Sequence, residues 1–330
     1  MKGGKKPIIL SGMRPTGKMH LGHLFGALQN WVTLQKDYRC FYMIADWHAL
    51  MSEYESPQAI KEYVREQVAD WLAVGIDPAQ TTIFVQSQVP AHLELFMILA
   101  TLCPLSWLER CPTYKEQLRE LREKNLATYG FLGYPLLQAA DILIYQANFV
   151  PVGEDQLPHL ELTREIARRF NSMYKKEVLV EPKALLTPVP RLLGLDNRKM
   201  SKSYGNVINL SDSEQDIARK VSAMVTDPAR VKKDDPGHPD VCNVFSYYGI
   251  FDKTQCAQLR DDCTSGKIGC VEDKKRLAEA IAAYLKPIRT KRQEIMKDAS
   301  YVTDVIRRGC ENAREETSRV LKEIKAVLHF

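Results

Sequence analysis

Two histidines three residues apart, His20 and His23, enclose Leu21 and Gly22 where a short apolar run gives way to helical spacing. In a first helical turn their imidazoles share one face and point toward the end where backbone N–H groups have no intrahelical partner. Gly22 would let a flat group or a phosphate approach the backbone, and the helix dipole adds positive potential there. Such a site suits the phosphates of ATP. Two histidines at a helix start can equally cap it or face solvent, because so short a motif often matches by accident. A zinc pair lacks a third ligand nearby.

A second constellation lies far downstream, Lys199-Met200-Ser201-Lys202-Ser203 followed by Tyr204-Gly205-Asn206. Two lysines flanking a small polar turn are mobile cations that can follow charge as it moves onto leaving pyrophosphate. Alone, this is a solvated basic loop. Paired with the upstream histidines it becomes a specific signal.

The elements that must carry these residues follow from periodicity. Pro7 to Leu10, Cys40 to Ala45 and Thr82 to Val85 are apolar runs of strand length, with Ser11 to Gly17 as turn material after the first. Leu21, Leu24, Leu28 and Val32 fall on one helical face, and a second helix is expected from about Pro57 to Val74. Strands alternating with helices imply a parallel sheet with crossover helices, an α/β Rossmann-type arrangement. From about Ser211 the pattern is helical, with stripes at Leu277, Ile281, Tyr284, Leu285, Ile288 and at Val320, Leu321, Ile324, Val327, Leu328. Asp227 to Asp240 is a turn-rich connector. The expected organisation is a catalytic domain over residues 1–208 and an all-helical C-terminal domain over 209–330.

Bulk properties set the limits. The 330 residues, 45% hydrophobic and 26% charged, can bury a sizeable core and fill two domains. A net charge of +5 permits a nucleic-acid partner only through a local patch. Eight cysteines scattered through apolar and helical contexts suit reduced thiols. The N-terminal residues lack a signal-peptide pattern and no stretch has the length of a membrane span, so the expected compartment is the cytoplasm.

The histidine and lysine elements together resemble the two signatures of class I aminoacyl-tRNA synthetases, which flank one ATP in a Rossmann-type domain. The resemblance narrows to the bacterial tryptophanyl branch. It is carried by Ala73-Val74-Gly75-Ile76-Asp77-Pro78, by Gln86-Ser87-Gln88-Val89-Pro90-Ala91-His92, by Val150 to Gln156 and by His159-Leu160-Glu161-Leu162-Thr163-Arg164. What it implies is adenylation of L-tryptophan by ATP with magnesium, then transfer to tRNA(Trp), in a homodimer. It assigns catalysis to His20, His23, Lys199, Ser201 and Lys202. It assigns ATP contacts to Arg14, Pro15, Thr16, Gly22, Lys115, Gly153, Glu154, Asp155, Leu192, Met200 and Ser203, with Gly153 and Asp155 against the ribose.

For the amino acid, Tyr134, Gln138 and Asp141 share a helical face at spacings of four and three, with small or apolar residues between. An indole N–H can only donate, so a carboxylate in apolar company is the acceptor tryptophan needs, while Tyr134 and Gln138 would hold its ammonium. Leu10, His48, Val150, Val152 and Gln156 complete the implied pocket. The same spacing also resembles tyrosyl enzymes, and Gln138 stands where better-known tryptophanyl enzymes often have methionine. Tyrosyl enzymes carry a tyrosine at the position of Leu10, which cannot serve a phenol. A structural pairing of Asp141 with an arginine is the plain alternative. At the level of the whole chain, the other readings are a small adenylyltransferase, which would not need the helical half, and a non-catalytic RNA-binding paralogue, which would not need to keep His20, His23, Lys199 and Lys202.

One departure concerns Cys242, Cys263 and Cys270. Some tryptophanyl enzymes hold a [4Fe-4S] cluster with four cysteines here, and Asp273 stands where the fourth would be. A cluster completed by a carboxylate or by Cys256, and a set of free thiols, are both open. The anticodon is expected on the helical half, where Lys286, Arg289, Lys291 and Arg292 form a basic run that is equally a solvated face.

Overall fold

The computed structural model describes residues 6–120, 125–186 and 192–330. Among these, β1 (Ile8–Met13), β2 (Arg39–Ile44), β3 (Thr81–Val85), β4 (Phe149–Val152) and β5 (Lys183–Leu186) form one parallel sheet in the order β3-β2-β1-β4-β5. The first helical stretch is α1 (Leu21–His23), a π-helical turn over Leu24–Leu28, and α2 (Gln29–Leu34). Between the later strands come α3 (Asp46–Glu53), α4 (Ile60–Val74), α5 (Ala91–Ala100), α6 (Leu105–Glu109), α7 (Pro112–Glu120), α8 (Tyr129–Leu143) and α9 (Leu157–Tyr174). The remainder is helical: α10 (Glu214–Ser222), α11 (Asn243–Phe251), α12 (Cys256–Thr264), α13 (Cys270–Lys297) and α14 (Ala299–Val327).

Two compact units divide the chain. One comprises Met1–Gly17, Ala27–Val189 and Asp298–Phe330; the other comprises Lys18–Gly26 and Pro190–Lys297. In the sheet unit, Cys40 through Ile44 are all buried, which is why β2 reads as an unbroken apolar run: a central parallel strand is covered on both faces. β1 runs further than its apolar residues suggest. Ser11, Gly12 and Met13 lie opposite Tyr42, Met43 and Ile44 in the parallel ladder, so the expected turn material begins only at Arg14. β5 escaped recognition because Lys183-Ala184-Leu185-Leu186 is a short, half-exposed edge strand. Beneath β2, Trp31 stacks on Tyr42 at 4.4 Å and meets Trp71 edge-on at 5.1 Å, while the Tyr42 hydroxyl donates to the Trp31 carbonyl at 2.9 Å.

The last helix belongs to this unit. Its stripe at Val320, Leu321 and Ile324 is buried as the periodicity implies, and α14 lies along β3. Gly309 permits that approach: a Cβ there would sit 1.7 Å from the Ile83 carbonyl oxygen. In the second unit, Leu277, Ile281 and Leu285 of α13 are fully buried, as are Ile217 and Val221 of α10, the helix that α13 packs against. Phe25 meets Phe251 at 5.6 Å and Tyr284 at 5.9 Å in the same unit.

Candidate active site

The histidine element and the lysine loop both lie in the second unit, and local hydrogen bonding explains how they come together. His20 is the N-cap of α1: its Nδ1 accepts from the Gly22 N–H at 3.1 Å, and His23 Nδ1 accepts from the His20 N–H at 3.2 Å. This reciprocal capping satisfies the backbone donors from within. The Gly22 N–H also approaches Met200 Sδ at 3.3 Å, and the Leu21 N–H donates to the Ile208 carbonyl at 3.0 Å. The open backbone donors expected at this helix start are thus already used. A Cβ on Gly22 would lie 2.9 Å from the His20 ring, so the glycine makes room for that ring and for Met200 rather than for a bare backbone site.

What remains for a ligand is the imidazole edge. Because each Nδ1 accepts a backbone N–H, each ring proton sits on Nε2. Burial, then the charge of Lys202, pushes His20 down to about 4; burial, then His20 and Lys202, holds His23 well below the ordinary range. Both are neutral donors at neutral pH.

The lysine loop is organised by Asn206, which is buried. Its Oδ1 accepts from the Ser201 N–H at 2.8 Å, and its Nδ2 donates to Asp196 Oδ1 at 2.7 Å and to the Lys199 carbonyl at 3.1 Å. Gly205 follows the Lys202–Tyr204 turn with φ 63°, the left-handed conformation that closes it. Met200 is buried, Lys199 is exposed, and Ser201, Lys202 and Leu192 are half-buried. Just beyond, Asn209 bridges His20 and the Leu210 N–H donates to the Met19 carbonyl at 2.9 Å. The segment after the lysine loop therefore clamps the start of α1. Nothing in the linear sequence marks Asn206 as the hub, because its partners meet it only when the loop folds.

The sheet unit supplies a different constellation. Asp141, on α8, is buried, and its carboxylate accepts from three side chains: His48 Nε2 at 2.8 Å, His92 Nδ1 at 2.7 Å, and Gln86 Nε2 at 2.8 and 2.9 Å. Burial pushes this carboxyl up, but the His48 and His92 hydrogen bonds outweigh it and hold the group below the usual carboxylate range. Histidines and a glutamine, rather than an arginine, thus hold Asp141 among the described residues. Gln86, His92 and Tyr145, whose hydroxyl lies 3.0 Å from His92 Nε2, were not singled out from sequence. They come from β3's end, α5 and α8's end, so no periodicity connects them.

Tyr134, on the same helix, is buried, and its hydroxyl lies 3.3 Å from Thr113 Oγ1 and 3.4 Å from His159 Nε2. Thr113 and His159 are themselves 2.5 Å apart, with Cys111 Sγ 3.2 Å from Thr113 Oγ1. Burial pushes His159 down to about 4. Gln138 is half-buried on the α8 face between Tyr134 and Asp141. That helix exists as expected; Thr128 caps it, accepting from the Phe131 N–H at 3.2 Å.

The strand order places the rest. Adjacent β1 and β4 are where the sheet changes direction of growth, with Ile9 opposite Phe149, and in open parallel sheets ligands bind outside the strand C-termini at such a point. Leu10 and Val150 are buried on these strands; Arg14, Pro15 and Thr16 follow β1, and Val152 ends β4 before Gly153, Glu154, Asp155 and Gln156. Asp155 is exposed and accepts from Gln156 Nε2 at 3.0 Å. Lys115 is exposed on α7.

The cysteine group in the second unit has its own character. Arg230 Nη1 lies 3.7 Å from Cys263 Sγ and 3.9 Å from Cys270 Sγ, while its Nη2 donates to the Lys233 and Ile268 carbonyls at 2.6 Å each. Cys242 is buried, and Asp273 Oδ1 is buried without a partner. Burial raises the Asp273 carboxyl, and it raises the Cys263 thiol against the opposing Arg230 charge. An anchored guanidinium thus stands against two of the three thiols. In the basic run, Arg289 is engaged with Glu214 at 3.1 Å, while Lys286 and Lys291 are exposed.

Comparison with known proteins agrees with this geometry. A family model described as tRNA synthetases class I (W and Y) matches residues 1–286. The chain is 51% identical over 325 residues to a tryptophan–tRNA ligase of Thermotoga maritima, covering 98% of this chain and 99% of that one. It is 46% identical to a tryptophan–tRNA ligase of Clostridium longisporum, covering 98% and 97% respectively. The crystal structure of tryptophanyl-tRNA synthetase from Campylobacter jejuni, complexed with ADP and tryptophan, matches with a TM-score of 0.90 at 32% identity, covering 98% of this chain and all of that one, 100%.

Proposed function

The chain belongs to the class I tRNA synthetases of the tryptophan and tyrosine group, and we propose that it activates L-tryptophan with ATP and transfers it to tRNA(Trp). It is an aminoacyl-tRNA synthetase whose first products are tryptophanyl-adenylate and pyrophosphate, and whose second are tryptophanyl-tRNA and AMP. The choice of tryptophan rests on full-length likeness to tryptophan–tRNA ligases. On the geometric side it is supported by the buried Asp141 carboxylate, an acceptor for an indole N–H, together with the buried Leu10, which offers a phenol no partner.

The reaction needs no protein nucleophile. A carboxylate oxygen of tryptophan attacks the α-phosphorus of ATP, the bond from that phosphorus to the bridging oxygen breaks, and pyrophosphate leaves with the electron pair. Positioning and charge stabilisation suffice. His20 and His23 offer Nε2–H donors to the phosphates without adding positive charge. Lys199, Ser201 and Lys202 stabilise the pyrophosphate, with Met200 anchoring their loop, and Lys115 is a further cation for the same role. Gly153 and Asp155 are assigned to the ribose, Tyr134 and Gln138 to the ammonium, and Leu10, Val150 and Val152 to the apolar walls. Magnesium enters with ATP. Among the described residues no cluster of three or more His, Cys, Asp or Glu forms a cage for a metal, which suits an ion held by phosphates and water.

Iron has no part in this scheme. A [4Fe-4S] cluster asks for four thiolates, whereas Arg230, tied to two carbonyls, faces Cys263 and Cys270, Asp273 stands in the fourth position, and the Cys256 thiol is turned to the Asp252 carbonyl at 3.7 Å. The residues do not fit that group as arranged.

The helices of the second unit, within residues 209–297, are assigned to the anticodon, since residues 298–330 belong to the sheet unit; the acceptor is the terminal adenosine's 2′-hydroxyl, in a cytoplasmic homodimer. Among the described residues, no helix is long and apolar enough to cross a membrane. The test is amino-acid-dependent ATP–pyrophosphate exchange with tryptophan, tyrosine and phenylalanine. Exchange with tryptophan alone is expected; preference for tyrosine overturns the assignment.

A further inference from the structure

Asp141 is held by two kinds of partner. His48 approaches Oδ2 and is partly open, with 11% of its side chain exposed, whereas His92, on Oδ1, has 0%. Gln86 is fully buried as well and spans both oxygens. His92 continues inward: its Nε2 lies 3.0 Å from the hydroxyl of Tyr145, itself fully buried. The polarity of this chain is determined. Because the Asp141 carboxylate can only accept, the neutral His92 ring must donate from Nδ1, and the Tyr145 hydroxyl, which burial reinforced by the Asp141 charge keeps protonated, faces the bare Nε2. It donates to His92 Nε2, and the ring proton stays on Nδ1, directed at Asp141 Oδ1. The reverse tautomer would put two acceptors face to face across 2.7 Å.

From this we infer that Tyr145, His92 and Gln86 are positioning residues for tryptophan selection, a relay that keeps Asp141 an ionised acceptor and turns Oδ2, the oxygen on the His48 side, toward the indole N–H. The inference rests on the assignment of Asp141 to tryptophan. None of the three is proposed to touch substrate. They act through one carboxylate, which at 1% exposure stays charged only through its hydrogen bonds, those of His48 and His92 foremost. A site built around one hydrogen bond gains its selectivity from the cost of leaving its polar group unpaired, so loosening the acceptor erodes discrimination first.

The measurement is the ratio of kcat/KM, in ATP–pyrophosphate exchange, between tryptophan and its benzothienyl analogue, in which sulfur replaces the indole N–H. For Tyr145→Phe, which removes one hydroxyl from a buried ring, and for His92→Phe, the ratio is expected to fall about tenfold or more. The loss should sit in KM for tryptophan, with kcat and the analogue nearly unchanged. His92→Asn, whose amide can replace the Nδ1–H donor, should restore most of the ratio. Equal losses for both substrates, or an unchanged ratio in Tyr145→Phe, overturn the relay. Asp141→Asn separates the two levels. If it leaves the ratio intact, the assignment of Asp141 fails and the relay with it; if it collapses the ratio while Tyr145→Phe and His92→Phe do not, only the relay fails.

Discussion

The Gly22 N–H and Met200 Sδ meet at 3.3 Å although 178 residues separate them. Their contact joins the turn that carries His20 and His23 to the loop that carries Lys199 and Lys202. Gly22→Ala would place a methyl 2.9 Å from the His20 ring, forcing that ring aside, while meeting Met200 Sδ at an ordinary 3.5 Å. We expect kcat for exchange to drop by about tenfold to a hundredfold with KM for tryptophan little changed, because the damage falls on phosphate handling. Stability should fall by only about 1–3 kcal/mol, as for overpacking elsewhere. Steady-state exchange kinetics and a thermal melt check both.

The depressed histidines give a second expectation. An unfolded histidine titrates near about 6.5, while His20 and His159 sit at about 4 and His23 lies well below its ordinary value. Between those values the unfolded chain binds more protons than the folded one, so stability is fully present above about 6.5 and is lost as pH falls toward 4. Each such histidine contributes a slope of up to about 1.4 kcal/mol per pH unit. The melting temperature should fall steadily across this window, and His159→Gln should flatten the slope. An unchanged slope in that variant would show that the His159 imidazole is not held neutral by burial.

How much of this was legible in residues alone depended on whether the signal was local. β1, β2 and β3 carry unbroken apolar runs, the α8 face bearing Tyr134, Gln138 and Asp141 and the stripes on α13 and α14 are periodic, and both kinds of pattern report burial directly. The roles of Asn206, Gln86, His92 and Tyr145 are not legible in sequence, because each matters through partners brought near only by folding. The open backbone donors expected beside Gly22 failed for a related reason: His20 and His23 are themselves good enough caps to use them. Placement of α14 depended on one glycine whose purpose appears only once β3 is beside it.

That glycine supports a third expectation. A methyl at Gly309 would overlap the Ile83 carbonyl at 1.7 Å, and the obstacle is backbone rather than a side chain that can swing away. Gly309→Ala must push α14 off β3 and open the contacts of Val305, Cys310 and Ala313, all buried. A loss above about 3 kcal/mol is expected, at the severe end for single substitutions. Denaturant unfolding measures it; a loss under about 1 kcal/mol would mean that the helix can relax without cost.

The cysteine group offers the last test, one that separates charge from ligation. If the Arg230 guanidinium is what stands against Cys263 and Cys270, protein purified without oxygen should hold neither iron nor acid-labile sulfide at stoichiometric level, and chelators should leave its melting temperature unchanged. Reconstitution with ferrous iron and sulfide should still give no cluster absorbance. Arg230→Ala combined with Asp273→Cys removes the resident cation and supplies a fourth thiol, so this double variant should take up iron and sulfide under the same conditions. Stoichiometric iron in the unmodified protein would mean that three thiolates and the Asp273 carboxylate suffice and that Arg230 moves aside. Neither single substitution alone should match the double variant, since one leaves a cation against the thiols and the other leaves only three of them.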